Sequence, residues 1–222
     1  MLGFLHTETQ RKEAVDSLIT ESRTNFNYYV LLGVSTLITT LGLTLDNNAV
    51  VIGGMLIAPL LTPILALGLG ITTISRPGTI RSLVGIINSV TYILLFSFLL
   101  SLLIHDDNYV TEEILLRSTS SHLYFFIAFL SGIGATFAWV QKKVAYTLPG
   151  VAVAVSLLPP LCVSGIALAQ ADPDLLINSL SIFFLNFVGI VLASTMVFIF
   201  FKFKRLKHFE EKKISKEENG KD

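Results

Sequence analysis

Pro59 and Pro63 stand in the middle of an apolar run, Asn47 to Ile74, that is long enough to cross a bilayer. A proline inside a helix removes a main-chain donor and clashes with the preceding turn, so an unbroken spanning helix should hold none there. In lipid, carbonyls freed in this way must be met by protein or by a water-lined cavity, which places such a run inside a bundle. The expected free acceptors are the carbonyls of Met55 and Pro59, near mid-membrane.

The rest of the chain supports a membrane setting. Of 222 residues, 52% are hydrophobic and only 14% charged, and the mean hydropathy is +0.70, too apolar for an ordinary soluble domain. The formal net charge of +0 conceals a strong segregation of charge along the chain. Cys162 is the only cysteine, which excludes an intrachain disulfide and a cysteine-cluster metal site. His6, His105, His122 and His208 lie outside the apolar runs or at their edges, with no ligand-spaced pair. No cofactor, metal or nucleic-acid partner is implied. The expected partners are the lipid bilayer and a small solute or monovalent ion, and a homo-oligomer is compatible with the pattern.

Residues 1–27 carry charges without an apolar core of the kind a cleaved signal needs, so the first spanning helix is expected to direct insertion. Within them Ala14, Val15, Leu18 and Ile19 share one helical face. Two readings stay open: a helix lying on the membrane surface, or one packed on the end of the bundle. Residues 28–104 form a first three-span unit, with a span from Asn25 to Leu45 opened by Phe26, Tyr28 and Tyr29, then the broken run, then Ile80 to Ile104 after a turn at Ser75-Arg76-Pro77-Gly78. Residues 105–121 are an acidic loop. Residues 122–201 hold a second unit: Leu123 to Val140, an apolar run from Val144 to Ala169 interrupted at Pro159 and Pro160, and a last span from about Leu176 to Phe201. Residues 202–222 are a charged tail that reads as a solvated helix or a disordered end.

With six crossings the basic loops alternate with the acidic ones. Arg11, Lys12 and Arg23, then Arg76 and Arg81, then Lys142 and Lys143, then the tail fall on one side, with Arg117 alone opposite. Both termini are therefore expected in the cytoplasm. Reading the broken runs as re-entrant hairpins would move Arg76, Arg81, Lys142 and Lys143 outside, and is rejected on that count.

The two broken runs align without a gap. Asn48 to Leu61 lies over Pro149 to Cys162 and matches Pro59 to Pro160. Each is flanked by one continuous span on either side. An odd number of spans per unit inverts the second copy, so the expected fold is an all-α polytopic membrane bundle of six spans, arranged as a 3+3 inverted repeat with two proline-broken helices.

Three features together, Gly53-Gly54-Met55-Leu56-Ile57-Ala58-Pro59-Leu60, the Leu148-Pro149-Gly150 run reaching Pro160, and the Asn186 span, resemble the prokaryotic membrane proteins that share domain of unknown function 389. The resemblance covers roughly Thr24 to Lys202. It implies a bacterial or archaeal cell (inner) membrane and carries over no activity.

Apart from Arg81 at the very start of the third span, no Asp, Glu, Lys, Arg or His falls inside the apolar spans, which argues against a carboxylate-based pump. What remains is backbone and small polar groups. The candidate ligand-binding residues are Asn48, Met55, Pro59, Thr62, Pro63, Asn88, Val155, Ser156, Pro159, Pro160, Ser164 and Asn186. Freed carbonyls suit a cation and half-helix N-termini suit an anion, so the sign of the ligand stays open. Each residue also has a plain packing role: Ser and Thr bond to their own turn, and Asn bridges helices. Three functions follow: a transporter or facilitator of a small solute or ion, a channel-like or lipid-handling pore, or a non-transporting interaction protein. Enzyme chemistry ranks last, because no nucleophile, base and orienter come together at membrane depth.

Overall fold

Local sequence signals set most of the helix starts. The structure, a computed structural model, describes residues 8–104, 109–119, 122–141 and 157–218, and among them every regular element is helical. Helix α1 is Glu8–Glu21 and buries Ala14, Val15, Leu18 and Ile19. It packs against neighbouring helices. Asn25 caps α2 (Phe26–Thr44) by accepting from the Tyr28 amide at 2.9 Å, and Asn47 caps α3 (Asn48–Ile57) by accepting from Val50. Then come α4 (Leu61–Thr73), α5 (Arg76–Ile104), the short α6 (Glu112–Leu116) and α7 (His122–Val140). After the undescribed stretch follow α8 (Leu158–Ala169), α9 (Pro173–Phe200), a 3-10 turn (Phe203–Leu206) and α10 (Lys207–Glu218).

Helices α2, α5, α7 and α9 are each long and apolar enough to cross a membrane, and α3 with α4 passes the same test as a pair. Leu103, Phe126, Met196 and Phe200 are exposed on them, as lipid-facing side chains are. Helix α8 has 12 residues, about 18 Å of helix against a hydrocarbon core of about 30 Å. The remainder of the expected fifth span lies outside the described residues.

Several prolines stand where a helix begins. Pro77 is the second residue of α5, Pro173 the first of α9, Pro63 the third of α4, and Pro159 and Pro160 the second and third of α8. An amide in the first turn has no intrahelical acceptor, so its loss there costs little. This corrects two expectations. The Ser75 to Gly78 turn is instead the start of α5, with Ser75 accepting from the Gly78 amide at 3.2 Å. Pro63 frees no mid-helix carbonyl either, because it stands in the first turn of α4 and Pro59 lies outside that helix; the Thr62 hydroxyl beside it lies within reach of the Glu21 carbonyl at 3.2 Å and the Pro59 carbonyl at 3.3 Å. Pro59 alone stands between two described helices, and α3 and α4 meet there at 52°. Met55 lies in the last turn of α3, where carbonyls lack intrahelical donors in any case.

Helices α4 and α8 both pack against α5 and α9, at opposite ends. Helix α4 lies on the first turns of α5 and the last turns of α9, with Gly70 against Thr79 and Gly68 against Ser194. Helix α8 lies further along α5 and on the start of α9, with Gly165 against Ser97 and Ser164 against Ser179.

Different polar contacts close the two ends of the bundle. At one, Arg81 meets Glu217 at 2.8 Å, Lys213 meets Asp16 at 3.0 Å, and Trp139 donates to the Ala14 carbonyl. At the other, the Glu113 amide donates to Asp46 at 2.8 Å, Arg117 donates to Asn48 at 3.2 Å, and the Tyr109 hydroxyl donates to Asp172 at 3.0 Å. The tail is not solvated throughout: α10 buries Glu210, Ile214 and Glu217.

Candidate functional site

Helix α2 carries Ser35, Thr36, Thr39 and Thr40, a spacing that puts hydroxyls on one helical face, and all four are fully buried. Buried hydroxyls away from water need acceptors, and the nearest is a carbonyl one turn back. Thr36 therefore donates to Leu32 O at 2.7 Å and Ser164 to Pro160 O at 2.8 Å. Thr40 lies within reach of Thr36 O at 2.8 Å and Ser97 Oγ at 3.1 Å.

A second set of contacts crosses between helices. Ser97 of α5 donates to the carbonyl of Cys162 of α8 at 2.7 Å, and the Cys162 thiol lies 3.9 Å from Thr36 O. Ser164 and Ser179 share a hydrogen bond at 2.8 Å, joining α8 to α9. The result is a seam of neutral oxygens through α2, α5, α8 and α9, beside the start of α8. Its chemistry is that of hydroxyl and carbonyl dipoles, suited to an alkali cation or a small polar solute rather than to proton abstraction.

One hydroxyl in this region stands apart. Thr39 Oγ1 is buried without a hydrogen-bond partner. It faces Gly54 of α3, where a side chain would collide with it and would come within 3.0 Å of the Ser35 carbonyl. The bare glycine lets α2 and α3 close together around an unpaired polar atom.

The residues singled out in the sequence are distributed unevenly about this seam. Pro159, Pro160 and Ser164 belong to it and are buried. Met55, Pro63 and Asn186 are buried, while Pro59 and Thr62 are half-buried at the α3–α4 bend. Val155 and Ser156 lie outside the described residues. Asn48 and Asn88 sit elsewhere than expected. Asn47 is the cap, which leaves Asn48 exposed at the acidic end beside Arg117. Asn88 is exposed on α5, because the inward face of that helix is built from Ser82, Gly85, Ser89, Ser97 and Ser101. Its neighbour Ser89 turns inward and pairs with the Tyr28 hydroxyl at 2.8 Å. Tyr28 is accordingly buried, while Phe26 remains exposed at the helix start.

Sequence reasoning missed Thr36, Thr39, Thr40, Ser97 and Ser179. Their signal is the recurrence of small hydroxyl residues at helical spacing, 35, 36, 39 and 40 on α2 and 82, 89, 97 and 101 on α5.

Most of the seam and the α3–α4 bend fall in one conserved unit: residues 55–192 match the family model of a domain of unknown function, DUF389. The chain belongs to the DUF389 family. Thr36, Thr39 and Thr40 lie ahead of the matched DUF389 segment, while Ser97, Cys162, Ser164 and Ser179 lie within it. An uncharacterized protein of Methanocaldococcus jannaschii is 28% identical over 202 residues, covering 86% of this DUF389 chain and 62% of that protein. The chain thus spans less than two thirds of the curated relative it matches. No solved structure matches it significantly.

Proposed function

We propose that this DUF389 protein is a transporter or facilitator of a small solute or ion, working from the seam of buried hydroxyls and carbonyls beside the start of α8. The observation that carries the reading is the set of buried hydroxyls and carbonyls on four apolar helices, beside an unpaired Thr39 hydroxyl. A purely structural bundle has little reason to keep an orphaned polar atom at 0% exposure, where it costs about 1–3 kcal/mol.

An inverted repeat belongs to the same proposal. The packing of α4 and α8 on opposite ends of α5 and α9 supports it, as does the alignment of Pro59 with Pro160. The proposed setting is a prokaryotic inner membrane crossed several times, with both termini in the cytoplasm. The gathering of α1, Arg81 and the tail at one end supports that sidedness. Among the described residues the seam's hydroxyls meet carbonyls and one another rather than a base, so the reading is of passage and not of catalysis.

The test is uptake into proteoliposomes of alkali cations and small neutral solutes, first for the native chain and then for Thr40→Val and Ser97→Ala. Saturable uptake with counterflow, reduced at least tenfold in the variants, is the expected result. Linear, non-saturating flux would make the protein a pore. Equal flux in vesicles with and without protein would leave an interaction protein instead.

A further inference from the structure

The tail helix α10 is rich in Lys and Glu, yet its Glu210 is only 1% exposed. The side chain enters the turn between α4 and α5. There the Thr73 hydroxyl donates to Oε2, and Gly78, with no side chain, leaves space that a Cβ would take from Oε1. The turn is shaped for this: Ile74 adopts φ 57 to end α4, and Ser75 caps α5. The carboxyl therefore lies at the start of a 29-residue helix. Around it is a cavity of about 10 Å³, room for about one water, walled by Ile19 of α1, Ala66 and Leu69 of α4, and Ile214 of α10.

The cations nearby do not neutralise Glu210. Arg81 of α5 lines the same cavity, but its Nη2 serves Glu217 and the Ile19 carbonyl, and its Nη1 is buried without a hydrogen-bond partner. From α1, Asp16 is engaged with Lys213, and from α4 the group that reaches the carboxyl is the Thr73 hydroxyl. On α10 itself Lys207 pairs with Glu211, and His208 is exposed. Lys202, Lys204 and Arg205, in the turn leading to α10, and Arg76 at the start of α5 are exposed as well.

We propose that Glu210 is a proton-binding site: the protonated carboxyl seats α10 on the α4–α5 turn, and its ionisation loosens the helix, making the tail a sensor of the pH around it. Burial, ahead of the other influences, pushes this carboxyl up from 4.5 to about 7, with the Thr73 hydroxyl pulling the other way, Glu211 adding to the rise and Ser75 opposing it. The docked helix thus holds a proton that the released helix has given up. Docking is strongest below the ordinary carboxylate value, weakens as pH climbs to about 7, and is level above that. The latch rests on packing and not on the transport reading, and its test reads helix position rather than flux.

The experiment places spin labels at Arg23→Cys and Lys216→Cys, both exposed positions, in the full chain in phosphatidylcholine vesicles; the native Cys162 is buried. The expected native result is one narrow short distance at about pH 5 and at least a tenfold larger released population at about pH 8.5. Glu210→Gln stays seated at both, and His208→Gln, a control on the same helix, behaves as native. Thr73→Val, which removes the hydroxyl that steadies the ionised form, is released further than native at the higher pH and seated at the lower. The proposal is overturned by a native distance that ignores pH, by a native-like shift in Glu210→Gln, by loss of the shift in His208→Gln, or by an unchanged response in Thr73→Val.

Discussion

Ser97 on α5 donates its hydroxyl proton to the carbonyl of Cys162 on α8 at 2.7 Å, one of the buried bonds that tie the first half of the chain to the second. Both residues are fully buried. Ser97→Ala should cost about 1–3 kcal/mol, because the Cys162 carbonyl then loses this donor and the Thr40 hydroxyl loses a neighbour. The midpoint of thermal unfolding in detergent measures it. A change within about 0.5 kcal/mol, the range of an ordinary surface substitution, would mean the bond contributes nothing net.

Gly68 of α4 and Ser194 of α9 approach so closely that a Cβ at Gly68 would lie 2.9 Å from the Ser194 Cβ and closer still to its hydroxyl. Gly68→Ala should therefore destabilise the bundle by about 1–3 kcal/mol through overpacking. Ser194→Gly in the same chain opens the space and should recover a large part of the loss. Additive losses in the double variant would show that the clash is not the cause.

Pro59 and Pro160 separate cleanly by position. Ala58, before Pro59, is extended at ψ 122, the conformation that a following proline favours. Pro59→Ala lifts that restriction, lets α3 run on toward α4, and should abolish solute flux while the protein still inserts. Pro160 is the third residue of α8, where an amide has no intrahelical acceptor, so Pro160→Ala should leave flux within about twofold of native. Flux assays on the two variants in parallel check both statements, and equal effects would refute the contrast.

Arg81 joins Glu217 at 2.8 Å, with Glu217 also within 3.2 Å of the Thr20 hydroxyl. Because Glu217 is 6% exposed, Arg81→Ala strands a buried carboxylate and should weaken docking of α10 by roughly 1–3 kcal/mol. Limited proteolysis at Lys212 and Lys216 would report this as faster tail cleavage. Cleavage at the native rate would show that the ion pair does not hold the tail.

Sidedness is checked with single engineered cysteines, since the native thiol is buried. In intact cells an impermeant thiol reagent should modify Thr119→Cys and spare Lys204→Cys, both at exposed positions at opposite ends of the bundle. The reverse pattern would invert the proposed topology.

Much of the architecture was legible from local chemistry. Apolar length marked α2, α5, α7 and α9, and Asn25, Asn47 and Asp172 each cap the helix that follows. The face of α1 could be read from Ala14, Val15, Leu18 and Ile19. The prolines were harder to read, because the same residue that breaks a helix in its interior is welcome in its first turn. Nothing in the order of residues 57 to 64 says which of Pro59 and Pro63 will do which.

Hydropathy and proline placement determined by themselves that this chain makes apolar helices and that the run from Asn47 to Ile74 is interrupted at one of its two prolines, because both follow from the transfer and main-chain chemistry of each residue alone. Tertiary structure decided which side of each helix looks inward. In a helix apolar all round, no local contrast separates Asn88 from Ser89, and only the neighbours that close on α5 bury one and expose the other. The same holds for Glu210, a carboxylate in a charged tail that only the turn at Thr73 to Gly78 could take out of water.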